Sequence, residues 1–297
     1  MWTGSGRLRL FQADLHEEGS FNEAVKGCVG VFHVAASMEF GVDMEDENIE
    51  SYVQSNFIDP AINGTLNLLR ACLECKSVKR VVFTSSISTL TAKDSNGEWK
   101  QVVDEFSQTH VDHVWKIKAS GWVYALSKLL TEEEAFRFAS DNGIDLVSVI
   151  TATVAGPFLT TNVPSSVQVL LSPLTGEREH FGILSAVNAR MGSIALVHIE
   201  DICRAHIFLM EHEKADGRYI CSAQNFPLSK LLNHLAQEYP TSNLQRFLGE
   251  DLNQAPSEIS SKKLKDLGFK YKHGVQDIIH ETVTGCLGYG FLHPIGN

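Results

Sequence analysis

The chain has 297 residues, 43% of them hydrophobic, which is ample for a sizeable core in one large domain or two smaller ones. Its formal charge is −11 and no basic stripe appears, so nucleic acid is not an expected partner. No apolar run is long enough to cross a bilayer, and the polar, Arg-bearing opening Met1 to Phe11 lacks a secretory apolar core, so a soluble cytoplasmic protein without membrane contact is expected.

The first two-thirds alternates strand and helix signals, the pattern of a parallel α/β sheet. Arg7 to Phe11 reads as a strand leading into Ala13, Asp14 and Leu15, and Ser20 to Val25 as a short helix. Gly30 to Ala36 is a compact apolar strand running into small residues. Ser51 to Cys75 reads as one long helix with an apolar stripe at Ala61, Leu66, Leu69 and Leu73, which Pro60 would divide. Val78 to Thr84 is a buried strand followed at once by Ser85 and Ser86. A polar insertion spans Lys93 to Lys118. Trp122 to Asn142 is helical with Gly143 as C-cap, and Ile144 to Val154 is a β-rich run closed by Gly156 and Pro157.

The remainder is less regular. Val163 to Leu171, Asp201 to Glu211 and Leu228 to Gln237 read as helices, and Ile194 to Ile199 and Gly217 to Ser222 as strands. The loss of βα alternation after Val154 suggests a first domain over 1–155 and a smaller lobe over 156–297, with some of its segments returning to the sheet. Gly4-Ser5-Gly6 precedes the first strand and so cannot be a strand–turn–helix phosphate loop. Cys72 and Cys75 form a lone CxxC, a pattern shared by redox pairs and half zinc sites. Inside an apolar helical stretch it reads as two packed helix residues, and no metal is expected.

Tyr124 and Lys128 stand four residues apart on a helix, on one face. A tyrosine is a poor acid–base group at neutral pH unless a neighbouring ammonium lowers its pKa, and the same lysine can hold ribose hydroxyls. Alone the pair is weak evidence; an ordinary solvated i,i+4 pair looks the same. Ser86 strengthens it, because a hydroxyl at the carboxyl end of a buried strand lies where open α/β sheets bind ligands and can stabilise a developing alkoxide. Val34, Ala35 and Ala36 also end a strand, and their small size admits a close ligand or tight packing.

With Ser86, Tyr124 and Lys128 in place, the surrounding words resemble plant dihydroflavonol 4-reductases and anthocyanidin reductases, members of the extended short-chain dehydrogenase/reductase superfamily. They include GVFHVAAS, PAINGTLNLLRAC, VKRVVFTSS, WVYALSKLLTEEEA, VHIEDICRAHIFL and SSKKLKDLGF, and run from about Arg7 to about Phe269. The resemblance implies a Rossmann-like doubly wound parallel sheet, incomplete at its N-terminus, over 1–155, and a substrate-binding lobe over 156–297. It implies NADP(H) as cofactor and a flavonoid- or phenylpropanoid-like small molecule as substrate. Ser86 would bind the substrate carbonyl, Tyr124 would donate the proton, and Lys128 would orient ribose and tune Tyr124. Asp14 and Leu15 would lie along the adenine, Val34, Ala35 and Ala36 along the cofactor's middle, and Thr151, Ala152, Thr153, Val154 and Ser166 at the nicotinamide end.

Departures qualify the resemblance. The family usually has proline at Thr151, dihydroflavonol reductases carry asparagine near Thr91, and Arg190 to Ala195 is longer than in the flavonoid reductases. The family's Gly-rich turn has no counterpart in these residues. The expectation is therefore weak NADP(H) binding by the chain as given, Val31 and Val82 turned toward water, and self-association through the exposed edge. The competing reading is a catalytically silent truncated isoform or an incomplete gene model that acts at most as a ligand- or partner-binding protein. A hydroxysteroid or sugar-nucleotide oxidoreductase is the neighbouring enzyme reading.

Overall fold

A computed structural model describes residues 7–36, 42, 48–94, 96–240, 243, 244, 247 and 257–292. In chain order its elements are α1 (Asn22–Val25), β1 (Gly30–His33), α2 (Ile49–Val53), α3 (Asp59–Cys75), β2 (Arg80–Ser86), β3 (Val102–Val103), α4 (Val111–Ile117) and α5 (Trp122–Asn142). They continue with β4 (Leu146–Thr151), β5 (Thr153–Ala155), α6 (Ser165–Thr175), α7 (Arg178–Met191), β6 (Ile194–His198), α8 (Ile199–Glu211) and β7 (Gly217–Cys221). The last are β8 (Gln224–Phe226), α9 (Leu228–Glu238), β9 (Glu258–Ile259), α10 (Lys262–Asp266) and α11 (Val275–Gly288).

The main sheet is parallel, in the order β1-β2-β4-β7. Its strands are apolar on both faces, as a sheet sandwiched by helices requires. Val81 and Phe83 point to the side where α3 and α5 contribute Leu68, Leu69, Cys72, Ala135 and Ala139. Val82, Val147 and Val149 point to the other side, against Ile202, Ala205 and Leu209 of α8. The fold is thus the expected Rossmann-like parallel sheet flanked by helices. Arg80 fastens α8 from below: its guanidinium donates to the Leu209, His212 and Ala215 carbonyls and pairs with Asp145. A cation is favourable at a helix C-terminus.

A second, three-stranded sheet, β5-β6-β8, is covered by α6, α7, α9 and α11, whose leucines and phenylalanines form a separate core. The β-rich run from Ile144 divides at Ala152, whose N–H donates to the Cys221 carbonyl, so β4 stays in the main sheet while β5 enters the second. Gly156 turns the chain at φ +124°; a Cβ there would stand 2.8 Å from His198 Nε2. Only glycine fits both conditions.

Several expectations are corrected. Arg7 to Phe11 forms no strand: residues 7–14 are exposed and without regular structure. An extended segment becomes a strand only beside a partner that takes up its backbone hydrogen bonds, and β1 has no described neighbour on its outer side. Val82 is fully buried because β2 lies inside the sheet, beneath α8. Val31 is half-buried, and it is Phe32, 44% exposed, that faces water from β1. The long helix over Ser51 to Cys75 contains a π turn at Gln54–Ile58 just before Pro60. The wider turn accommodates a ring that would clash with the carbonyl four residues back. Its buried face is Thr65, Leu68, Leu69 and Cys72, whereas Leu73 is 38% exposed.

Candidate active site

β2 carries Thr84, Ser85 and Ser86 to its carboxyl end, where a single 3₁₀ turn, Ile87–Thr89, begins. Ser86 caps that turn: its Oγ accepts from the Ser88 N–H at 3.1 Å. α5 runs beside the strand and presents Tyr124 and Lys128 from one face. The Tyr124 hydroxyl shares a hydrogen bond with the Ser86 side chain. Lys128 Nζ donates to the Thr84 carbonyl at 2.9 Å and stands 5.4 Å from the centre of the Phe83 ring. Thr84 is itself held, with its hydroxyl 2.8 Å from His206 Nε2. Because His206 Nδ1 faces the Ile202 carbonyl at 2.8 Å, that nitrogen donates and Nε2 accepts from Thr84.

These residues open onto one cavity of about 400 Å³. Of the residues expected at the site, Ser86, Tyr124, Lys128, Val34, Ala35, Ala36, Thr151, Ala152, Thr153, Val154 and Ser166 all line it. Leu15 does not. It lines an adjoining cavity of about 150 Å³ that shares Ala35, Ala36 and Lys128 with the first. Asp14 lines neither: its carboxylate is turned back to accept from the His16 N–H, within its own exposed turn. Thr151 ties β4 to β2 by donating to the Ser85 carbonyl at 3.1 Å, a bond that a proline at this position cannot make. Thr91 is buried away from the cavity, with its hydroxyl accepting from the Lys93 N–H.

The electrostatics differ from the expectation in one respect. Burial raises the Tyr124 pKa, and the Ser86 hydrogen bond opposes it only in part. The ammonium expected to lower it is committed to the Thr84 carbonyl. Lys128 is itself pushed down to about 8 by burial, with Glu132 one turn along α5 acting in the opposite direction. His33, buried beside Thr65 and Phe83, is pushed down to about 4, first by burial and then by Lys128. The imidazole is therefore neutral at physiological pH.

Ile183, Val187 and Arg190 of α7, and Ser120 before α5, also line the cavity and were not anticipated. Their i, i+4, i+7 spacing along α7 is a helix-face signal, but polar neighbours such as His180, Ser185 and Asn188 obscure it. Cys72 lies in the core with its thiol pushed up to about 12 by burial, and Cys75, half-buried, bonds to Ser77 and the Val25 carbonyl; both thiols are free. Among the described residues, His198, His273 and Glu281 bring ligand-type atoms within 4.8 Å of one another. His198 Nδ1 accepts from the Glu200 N–H, so its Nε2 carries the proton that faces Glu281, and the group reads as a hydrogen-bonded clasp between the end of β6 and α11.

Residues 2–221 match the model of the NAD dependent epimerase/dehydratase family. The chain belongs to that family. Within it the similarity is to plant flavonoid reductases. The chain is 40% identical over 286 residues to a bifunctional dihydroflavonol 4-reductase/flavanone 4-reductase of Malus domestica, covering 96% of this chain and 77% of that one. It is 38% identical to the (2S)-flavan-3-ol-forming anthocyanidin reductase of Vitis vinifera, covering 97% of this chain and 82% of the other. Among solved structures, vestitone reductase from alfalfa matches with a TM-score of 0.76 at 32% identity, over 97% of this chain and 85% of that one. The family is one of nicotinamide-dependent enzymes, and the described residues contain no helix long and apolar enough to cross a membrane.

Proposed function

We propose that this protein is a cytoplasmic NADPH-dependent reductase that acts on a carbonyl, or on a conjugated C=C bond, of a flavonoid- or phenylpropanoid-type molecule. The observation that carries the reading is the hydrogen bond between Tyr124 and Ser86 inside the cavity that also receives Lys128. The names of the plant relatives support the substrate class. The cavity suits the nicotinamide and ribose portion of the cofactor. Ala35 and Ala36 leave the backbone open to close approach, Lys128 has donors beyond the one given to Thr84, and the adjoining cavity continues toward Leu15. In this reading residues 1–155 form the nucleotide domain and 156–297 the substrate lobe.

Bound NADPH would supply the hydride. The Ser86 hydroxyl would hold the substrate oxygen and stabilise its growing negative charge. The Tyr124 phenol would give its proton to that oxygen, and its raised pKa keeps it protonated and ready at neutral pH. Lys128 would orient the ribose. Asp14, Leu15, Val34, Ala35, Ala36, Thr151, Ala152, Thr153, Val154 and Ser166 are proposed to bind the cofactor, with Asp14 requiring a turn of its side chain away from His16. The test is NADPH oxidation with a dihydroflavonol. Wild type should turn over, and Tyr124→Phe should lose a factor of about 10² to 10⁴. Equal rates in the two proteins would remove the mechanism.

A second reading is favoured by the exposed β1 edge and Phe32: a catalytically silent form that binds a ligand or associates with itself through that edge. The same turnover assay separates the two readings.

A further inference from the structure

We propose that Arg190 is a specificity-determining residue that recognises an acidic oxygen on the substrate, a carboxylate or an ionised phenolic or enolic hydroxyl, in the cavity that holds Ser86 and Tyr124. The inference rests on the reductase reading for what occupies the cavity, and names the chemistry that occupant must carry.

The chain pairs its other enclosed arginines fully at their terminal nitrogens. Arg80 makes four hydrogen bonds, to Asp145 and to the Leu209, His212 and Ala215 carbonyls. Arg218 is bonded to Glu132, Thr89, the Glu105 carbonyl and Gln108. Both follow the rule that a charge withdrawn from water is paired and hydrogen-bonded. Arg190 breaks it. Its Nε is sealed from solvent without an acceptor, as the Arg218 Nε also is, but whereas the terminal nitrogens of Arg218 are paired, the Arg190 side chain has no hydrogen bond or ion pair among the described residues. Burial alone lowers its pKa to about 10, so the group is charged at neutral pH.

The surroundings say what would satisfy it. Arg190 lines the cavity on the same face of α7 as Ile183 and Val187, and Val169 of α6 lines it too, so the arginine stands in a largely apolar wall. Arg190 and Lys128 are the charged side chains of the described lining, and no carboxylate of the described residues lines it. Lys128 is occupied at the Thr84 end. A ligand with a flat apolar body and one acidic oxygen complements this arrangement. The planar fork of a guanidinium suits an anionic oxygen better than an ammonium does.

The test uses 6-, 7- and 4′-hydroxyflavanone, each beside its O-methyl ether, titrated calorimetrically into wild type, Arg190→Met and Arg190→Gln. At one ring position wild type should prefer the free hydroxyl by roughly tenfold or more, the scale of a hydrogen bond to a charged group. That preference should grow as pH rises through the titration of the phenol and collapse toward unity in both variants. A purely structural arginine would weaken phenol and ether alike and leave the ratio unmoved. Persistence of the ratio in either folded variant overturns the proposal. So does a wild type that binds every ether as tightly as its phenol, an outcome that needs no variant. Turnover measured with the same compounds keeps the two readings apart: a collapsing ratio without any turnover counts against the reductase and not against Arg190.

Discussion

Lys128 stands between two influences. Burial pushes its ammonium down to about 8, and Glu132 one turn away holds it up. If the charged form orients the cofactor, kcat/KM should fall as pH rises through about 8, well below the ordinary lysine range, and that limb should vanish in Lys128→Met. A profile flat to pH 10 would contradict this. Stability runs the other way. The unfolded chain keeps this proton up to about 10.5 while the native state gives it up near 8. Between those values the unfolded state binds more protons, so this group makes stability rise with pH across the window. Thermal unfolding at pH 7.5 and 9.5, in wild type and Lys128→Met, isolates that contribution. The site was partly legible at this scale. The i,i+4 spacing of Tyr124 and Lys128 and the strand-end position of Ser86 put all three in one cavity, because both helix and strand have fixed side-chain periods. The direction of the Tyr124 shift was not legible. It depends on the burial of the phenol, a tertiary fact.

α5 is the element on which the site depends, and it is held by more than apolar packing. Glu132, only 2% exposed, pairs with Arg218 of β7 at 2.9 Å and accepts from Ser148 of β4. The arginine also reaches Thr89, at the end of the turn that begins at Ser86. Arg218→Met would strand a buried carboxylate, and chemical denaturation should show a loss of about 3–5 kcal/mol. The double change Arg218→Met, Glu132→Gln should recover part of it. A loss under about 1 kcal/mol in the single variant would mean that water or another cation replaces the arginine. α5 was read from Trp122 to Asn142 with Gly143 as its cap, and the structure has those bounds, with Gly143 at φ +68°. Its signals are local. α7 escaped notice because its buried face, Phe181, Ile183, Leu184 and Asn188, is interrupted by polar residues and is recognisable only against the second core. The reverse error occurred at Arg7 to Phe11, where strand-like composition lacks a described partner.

For the whole molecule, β1 is the edge of the main sheet among the described residues, and Phe32 and Val34 are exposed on or beside it. An open parallel edge with apolar side chains is a template for another chain. The proposed self-association predicts a sedimentation coefficient that rises with protein concentration and a Phe32→Lys variant that stays at the monomer value. A wild type that is monomeric at every concentration would contradict it. The parallel main sheet flanked by helices followed from βα alternation in the sequence, whereas its strand order and the second sheet did not, because β5, β6 and β8 are short and pair across long separations.

The central claim is that the cavity of Ser86, Tyr124 and Lys128 transfers hydride and proton to one substrate. Reduction of a dihydroflavonol with NADPH deuterated at the transferring position of its nicotinamide, followed by mass spectrometry of the product, tests it most directly. The cofactor is best supplied at millimolar concentration, so that its binding does not limit the yield of product. The account predicts one deuterium per product molecule with wild type and almost no product with Tyr124→Phe. Product without deuterium, or labelled product formed equally well by Tyr124→Phe, would contradict it.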